Sequence, residues 1–408
     1  MSGVTVLRAD RWVDVDKGEV RSPAVIVVDG NRIAAVDPVE LPTTATEIDL
    51  GDVTLLPGLM DMELNMLLGG PGAATFHGVT DDPVYRTLRG IVNCRTTLMA
   101  GFTTARNLGL FVKTSGFLLD VSLARAIDNG WVDGPRLISA GHAITPTGGH
   151  LDPTMFQRFA PGVLPLSVEE GIANGVPEVR KAVRYQIKYG AKVIKISASG
   201  GVMSHSTAAG AQQYSDEELE AIVDEAHRAG IRVAAHAHGD SGIRACIRAG
   251  VDCIEHGSLA SDDTIQMMVE HGTFLVPTSY LSEGLDVSKA DPALQAKAAE
   301  IFPRARAMLG KAIAAGVKIA CGTDAPAIPH GDNAKELWAM VDRGMTPMQA
   351  IQAATVTSAE LINADDLGRL APGQLADIIA VPGDPSEDIT VTQDVRFVMK
   401  DGRVYKGA

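Results

Sequence analysis

The chain has 408 residues, 46% of them apolar, and its 50 acidic residues against 36 Lys and Arg give a formal net charge of −14. This length excludes a single small core and fits one large domain beside a smaller module. No basic stripe is visible, which argues against nucleic acid or an anionic membrane surface and leaves a small molecule as the expected partner, with a homo-oligomer open.

The N-terminus, Met1-Ser2-Gly3-Val4, has no basic region followed by an apolar run, and no run of about 18 apolar residues occurs anywhere. Cys94, Cys246, Cys253 and Cys321 form no Cys-x-x-Cys pair. A cytoplasmic protein with buried, reduced thiols is the expectation.

Residues 1 to about 54 read as short strands, with 25–28 and 32–36 flanking Asp29-Gly30, a strong hairpin signal. Next comes Leu55-Leu56-Pro57-Gly58-Leu59-Met60-Asp61-Met62-Glu63-Leu64-Asn65, a buried strand that ends in polar side chains. Strand-like runs follow at 103–108, 136–143, 193–199, 232–238, 253–257, 273–277 and 318–323. Helical patterns lie between several of them. One is framed by Ser215 as N-cap, Glu218 in the capping-box place and Gly230 as stop, and another runs from Ile301 to Ala315 before Gly316.

Eight strands with crossovers predict an α/β fold, a (β/α)8 TIM-like barrel. The alternative, a doubly wound sheet, is weakened by the lack of a Gly-rich turn after the first strand. Residues 376–381, 395–400 and 403–405 repeat the β-rich texture of the N-terminus around Asp401-Gly402. Neither end can bury a sheet alone. Both are therefore expected to form one small β-sandwich, residues 1–56 and 369–408, beside a catalytic barrel of residues 57–368. The long loops 69–82 and 148–164 follow odd-numbered strands and are expected to cover the site.

A barrel gathers the C-terminal ends of its strands at one mouth, and polar residues cluster at those ends here. Lys195 lies inside Val193-Ile194-Lys195-Ile196-Ser197, where a buried lysine is costly unless paired or modified. His236 and His238 end the fifth run on one face, and His256 ends the sixth. A lone histidine at a strand end is usually structural. Three at successive mouths point to metal binding. Asp324 ends the eighth run and can be read either as a helix N-cap or as a carboxylate beside a metal-held water.

These motifs together resemble the amidohydrolase superfamily of metal-dependent hydrolases. The segments Ser197 to Ser204, Thr145-Pro-Thr-Gly-Gly-His150 and Pro329-His330-Gly331-Asp332-Asn333 are closest to its branch of imidazolonepropionase-like and Xaa-Pro dipeptidase-like proteins. The resemblance implies hydrolysis of a C–N bond in an amide, cyclic amide, dipeptide-like or N-acyl amino acid substrate. It implies a divalent metal, zinc first, as one or two ions, held by Lys195 (as an N6-carboxylysine), His236, His256 and Asp324, with Glu63 and Asn65 as altered ligands. It also gives Asp324 the general-base role and makes His150 and Tyr280 stabilisers of the carbonyl oxygen. His142, His238, Arg106 and His330 become candidates for substrate contact, His238 also for a third imidazole ligand.

The chain departs from the family where two His of a His-x-His motif usually end the first strand, because Glu63-Leu64-Asn65 stands there. A carboxylate can still bind a metal, whereas an amide oxygen is a poor zinc ligand. Three readings follow: a hydrolase with one firmly held metal, a lyase or decarboxylase with Glu63 as acid or base, and a non-catalytic small-molecule-binding barrel.

Overall fold

The computed structural model describes residues 3–70, 80–155, 159–204, 208–288 and 290–407, so both expected covering loops fall partly outside the described residues. The N-terminal strands are β1 (Val4–Ala9), β2 (Arg11–Asp14), β3 (Glu19–Arg21), β4 (Ala24–Asp29), β5 (Arg32–Val36), β6 (Thr46–Asp49) and β7 (Val53–Pro57). The central strands are β8 (Leu59–Leu64), β9 (Phe102–Asn107), β10 (Arg136–Ser139), β11 (Ile194–Ser197), β12 (Val233–Ala237), β13 (Cys253–His256) and β14 (Phe274–Val276). The chain closes with β15 (Ile378–Pro382), β16 (Phe397–Lys400) and β17 (Arg403–Lys406).

The terminal strands form two sheets, ordered β5-β4-β1-β6 and β17-β16-β15-β7-β2-β3. Apolar residues from both, including Leu7, Ile26, Ile33, Leu55, Ile378 and Phe397, share one core. The second sheet joins the two chain ends, since β15 runs antiparallel to β7. Arg136 at the start of β10 donates to Asp377 at 2.8 Å and to Asp401, and Lys400 donates to the carbonyl of Gly134, which ties this sheet to the central strands.

The run from Leu55 to Asn65 is two strands rather than one. It leaves the terminal sheet and enters the central one at Gly58, where a Cβ would lie 2.1 Å from Thr103 Oγ1 and 2.6 Å from its Cγ2. Only a residue without a side chain lets β8 pass so close to β9. Gly58→Val is expected to lower the unfolding free energy by about 1–3 kcal/mol through this overlap. An unchanged urea midpoint would show that the crossing can relax.

The central strands form two parallel sheets, β10-β9-β8 and β11-β12-β13-β14, with the helices between consecutive strands. Single parallel bridges connect Ile144 with Ile196, Leu275 with Ile319, and Leu64 with Ala325. The architecture is a TIM-barrel-like α/β fold. The eighth expected strand, 318–323, makes only such isolated bridges. The cause lies in the end of the helix Pro347–Ala353: Met60 N donates to Ala354 O and Cys321 N to Ala353 O, so helix-end carbonyls take N–H groups that a regular ladder would use.

Alternation along the strands sets what faces the centre. Ile194, Ile196, Val233, Ala235 and Ile254 join the same core as the helix residues Ile222 and Ile243. The residues between them, Lys195, Ala234, His236, Cys253 and Glu255, are turned to the other side and are also buried. The helix Asp216–Arg228 carries the expected reciprocal cap of Ser215 and Glu218. The helix expected from Ile301 begins nine residues earlier, at Pro292, behind an Asp291 cap, and carries Pro303 in its interior. Among the described residues no helix is long and apolar enough to cross a membrane.

Candidate active site

Three imidazoles converge at the ends of β12 and β13. The ligating nitrogens of His236, His238 and His256 all lie within 4.8 Å of one another, and all three side chains are buried. The outer nitrogens are anchored: His238 Nδ1 pairs with Ser258 Oγ at 2.9 Å and His256 Nδ1 with Thr278 Oγ1 at 2.7 Å. Each anchor fixes ring orientation and leaves Nε2 aimed inward. By alternation His256 would face away from the centre, but its left-handed backbone (φ 68°) swings the ring to the mouth. Thr278 (φ 49°) and Asp324 (φ 58°), at the ends of the next two runs, share this conformation. Three consecutive strand ends therefore hold backbone that non-glycine residues rarely adopt.

Beside the imidazoles lies a buried ion pair. Lys195 Nζ donates to Glu63 Oε1 at 3.0 Å, and His256 Nε2 stands 3.7 Å from the same oxygen. Glu63 Oε2 and His236 Nε2 are buried without a hydrogen-bond partner. Buried polar atoms are nearly always satisfied, so this pair of open positions marks a place built for a further group. The neutral state needed for metal binding is favoured throughout. Burial, then neighbouring positive or imidazole groups, holds His236 and His238 well below the usual histidine range, and burial with Lys195 nearby takes His256 down to about 3. Three inward nitrogens plus a carboxylate oxygen fit a borderline divalent cation.

Asp324 enters the same space. Its backbone N–H donates to Glu63 O at 2.7 Å, which fixes the end of the eighth run against β8. Burial and the nearby Glu63 carboxylate raise its carboxyl well above the usual range. Asp61, two residues before Glu63, clamps this junction: it accepts from Thr323 Oγ1 at 2.6 Å, from Asn333 Nδ2 at 2.7 Å and from the backbone N–H groups of Glu63 and Thr323. His150 stacks on His236 with ring centroids 4.0 Å apart. Its ring occupies the place where a Cβ on Gly201 would come within 2.2 Å of it.

Several expected site residues are engaged otherwise or lie elsewhere. Asn65 lines the cavity, but its amide is engaged with backbone, donating to Gly109 O at 2.7 Å and accepting from Leu67 N at 3.1 Å. Arg106 is buried beneath the site, where it pairs with Glu255 at 2.8 Å and donates to Met62 O at 2.6 Å, so it supports the floor and does not line the cavity. Tyr280 is turned outward: Glu336 accepts from its backbone N–H, and its ring packs edge-on to Trp338 beneath Lys335 Nζ. His330 braces Asn65 from behind, contacting its carbonyl at 3.3 Å and Thr97 Oγ1 at 3.1 Å.

His142 is also withdrawn. Its Nε2 pairs with Thr114 Oγ1 at 2.8 Å and its backbone N–H donates to Gln186. Burial takes its pKa down to about 4. The unfolded chain therefore gains a proton below about pH 6.5 that the native state refuses, and stability falls as pH drops from there toward 4. His142→Asn should reduce the slope of unfolding free energy over that interval by about 1.4 kcal/mol per pH unit. Urea titrations at several pH values read this directly, and an unchanged slope would remove His142 from the acid response.

Sequence reasoning missed Ser258, Thr278 and Asp61. Asp61 could have been found from its position two residues before Glu63. Ser258 and Thr278 act only through contacts across the fold.

The geometry agrees with the comparisons to known proteins. The profile of the amidohydrolase family matches residues 54–405. Ochratoxinase of Aspergillus niger is 35% identical over 431 residues, covering 99% of this chain and 87% of that protein. A crystal structure of a Xaa-Pro dipeptidase with bound methionine in its active site superposes with a TM-score of 0.92 at 38% identity, covering 99% of this chain and 100% of that one. Imidazolonepropionase of Cutibacterium acnes is 24% identical over 380 residues, covering 89% of this chain and 85% of that protein.

Proposed function

The chain belongs to the amidohydrolase family and is a hydrolase of amide-type carbon–nitrogen bonds, and from that premise we propose that it cleaves such a bond in a small molecule with one zinc ion on His236, His238 and His256. The observation that carries this reading is the convergence of those three nitrogens within 4.8 Å, in a cavity that the half-buried Asp324 also lines. A zinc ion in that place would supply Lewis acidity and lower the pKa of a nearby water.

The remaining work falls to the chain. Asp324, whose raised pKa suits a group that must take up a proton, removes one from the attacking water and returns it to the leaving nitrogen. His150, held against His236 with an open Nδ1, is aimed to hold the carbonyl oxygen. As an unmodified lysine, Lys195 would serve as the counter-ion of Glu63, 3.0 Å away. Asn65, its amide spent on backbone, orients the end of β8. The same reading closes β8 to β14 and the 318–323 run into one eight-stranded barrel over residues 57–368. It makes the terminal sheets (1–56 and 369–408) a β-sandwich, and the four free, buried thiols fit a reducing compartment such as the cytoplasm.

Two measurements test it together. Elemental analysis of protein purified without added metal should give about one zinc per chain, and turnover in ¹⁸O-water should place one labelled oxygen in the carboxylate product. No metal even after reconstitution overturns the zinc reading. Product without label transfers the reaction to the lyase alternative, with Glu63 as acid or base.

A further inference from the structure

Above the polar floor the cavity encloses about 610 Å³, within the range of small-molecule sites. Its walls are largely apolar, and two patches of them belong to small clusters separate from the main core. One wall is Phe111, Leu151 and Met155, clustered with Ala143. The other is Val202, Met203, Ile301 and Phe302, which pack together with Ala298 and Ala209. The long helix Pro292–Ala315 supplies this second wall with residues at helical spacing, Leu294, Ile301, Ala305 and Met308.

The two walls meet at His150. Leu151 follows it in the chain, and Val202 follows Gly201, whose α-carbon lies against the His150 ring. A carbonyl held at His150 therefore has a residue of each apolar wall beside it, Leu151 of one and Val202 of the other. Three arginines line the cavity, and each is engaged: Arg306 and Arg343 by Glu283 at 2.9 and 2.6 Å, and Arg86 by the carbonyl of Asp81 at 3.2 Å. Asp286 and Asp291, also in the lining, accept from the backbone N–H groups of Ser288 and Ala293, so most of what the walls leave open is apolar area. Met155, Met203 and Met308 give the walls adaptable, unbranched side chains suited to varied apolar shapes.

Resting on the hydrolase reading above, we infer that the substrate carries a bulky apolar group on each side of its scissile carbon–nitrogen bond. In the reaction water adds across that bond: the carbonyl carbon gains the hydroxyl, the bond to nitrogen breaks, and the nitrogen takes the proton. Oxidation states do not change.

The test is a two-by-two panel of simple amides on the metal-loaded enzyme, with acetyl or octanoyl as the acyl part and methylamine or phenethylamine as the amine part. Each apolar group should raise kcat/KM by roughly tenfold to a hundredfold, as expected for burying a large apolar group. The doubly apolar amide should therefore be best. Phe111→Ser should reduce the preference on one side of the bond and Phe302→Ser the preference on the other. A preference on one side only, on neither, or lost equally in both variants overturns the inference while leaving hydrolysis intact. If no amide is cleaved, the hydrolase reading fails separately, and displacement of 8-anilinonaphthalene-1-sulfonate decides the walls. Displacement by the doubly apolar amide alone supports them, and equal displacement by all four overturns them.

Discussion

Asp324→Asn is expected to lower turnover by on the order of a thousandfold, the contribution of a well-placed general base. The substitution is unusually clean here. Asp324 sits at φ 58°, a left-handed conformation that asparagine tolerates nearly as well as aspartate. Its contact with Glu63 runs through its own backbone N–H, so it survives the change. Fold and metal content should therefore stay as they are, and the rate alone should fall. Asp324→Ala would mix the chemical loss with backbone strain. A full rate in Asp324→Asn would remove the carboxylate from the mechanism.

The second large effect is on stability. Glu63→Met leaves the Lys195 ammonium buried without the carboxylate it donates to, with only the more distant Glu255 and Asp324 to balance it, a change worth about 3 kcal/mol. Replacing both residues by Met removes the orphaned charge along with its partner, and should cost much less than the single change. The coupling is read from urea midpoints of the two single variants and the double. It should be measured with and without metal, because a cation bound nearby alters the local balance of charge. Equal losses in Glu63→Met and the double variant would mean that the pair contributes nothing.

These two residues also show how far the sequence could be read. Lys195, His236, His256 and Asp324 stand out as candidates because each ends or lies inside a strongly apolar run, where a charged or ring-nitrogen side chain needs a reason. The barrel-like order of strands was visible for the same cause, since apolar runs alternate with capped helices. Arg106 and Tyr280 were misread because their positions near strand ends said nothing of which way a long side chain turns. Glu255 draws Arg106 down into the floor, and the capture of the Tyr280 backbone by Glu336 rotates that ring outward. The break at Gly58 was hidden because apolar residues continue on both sides of it. What decides it is the nearness of Thr103, 45 positions away.

The pairing of β7 with β15 has a further consequence for how the chain is made. During synthesis β7 leaves the ribosome some three hundred residues before β15, so β7 and β2 wait with one unpaired edge until β15 emerges. Such distant pairing slows folding, and an open apolar edge invites contact with other nascent chains. Shortening the C-terminus by β15 to β17 would make that wait permanent. Soluble yield should thus depend more steeply on an intact C-terminus than on any residue of the catalytic floor.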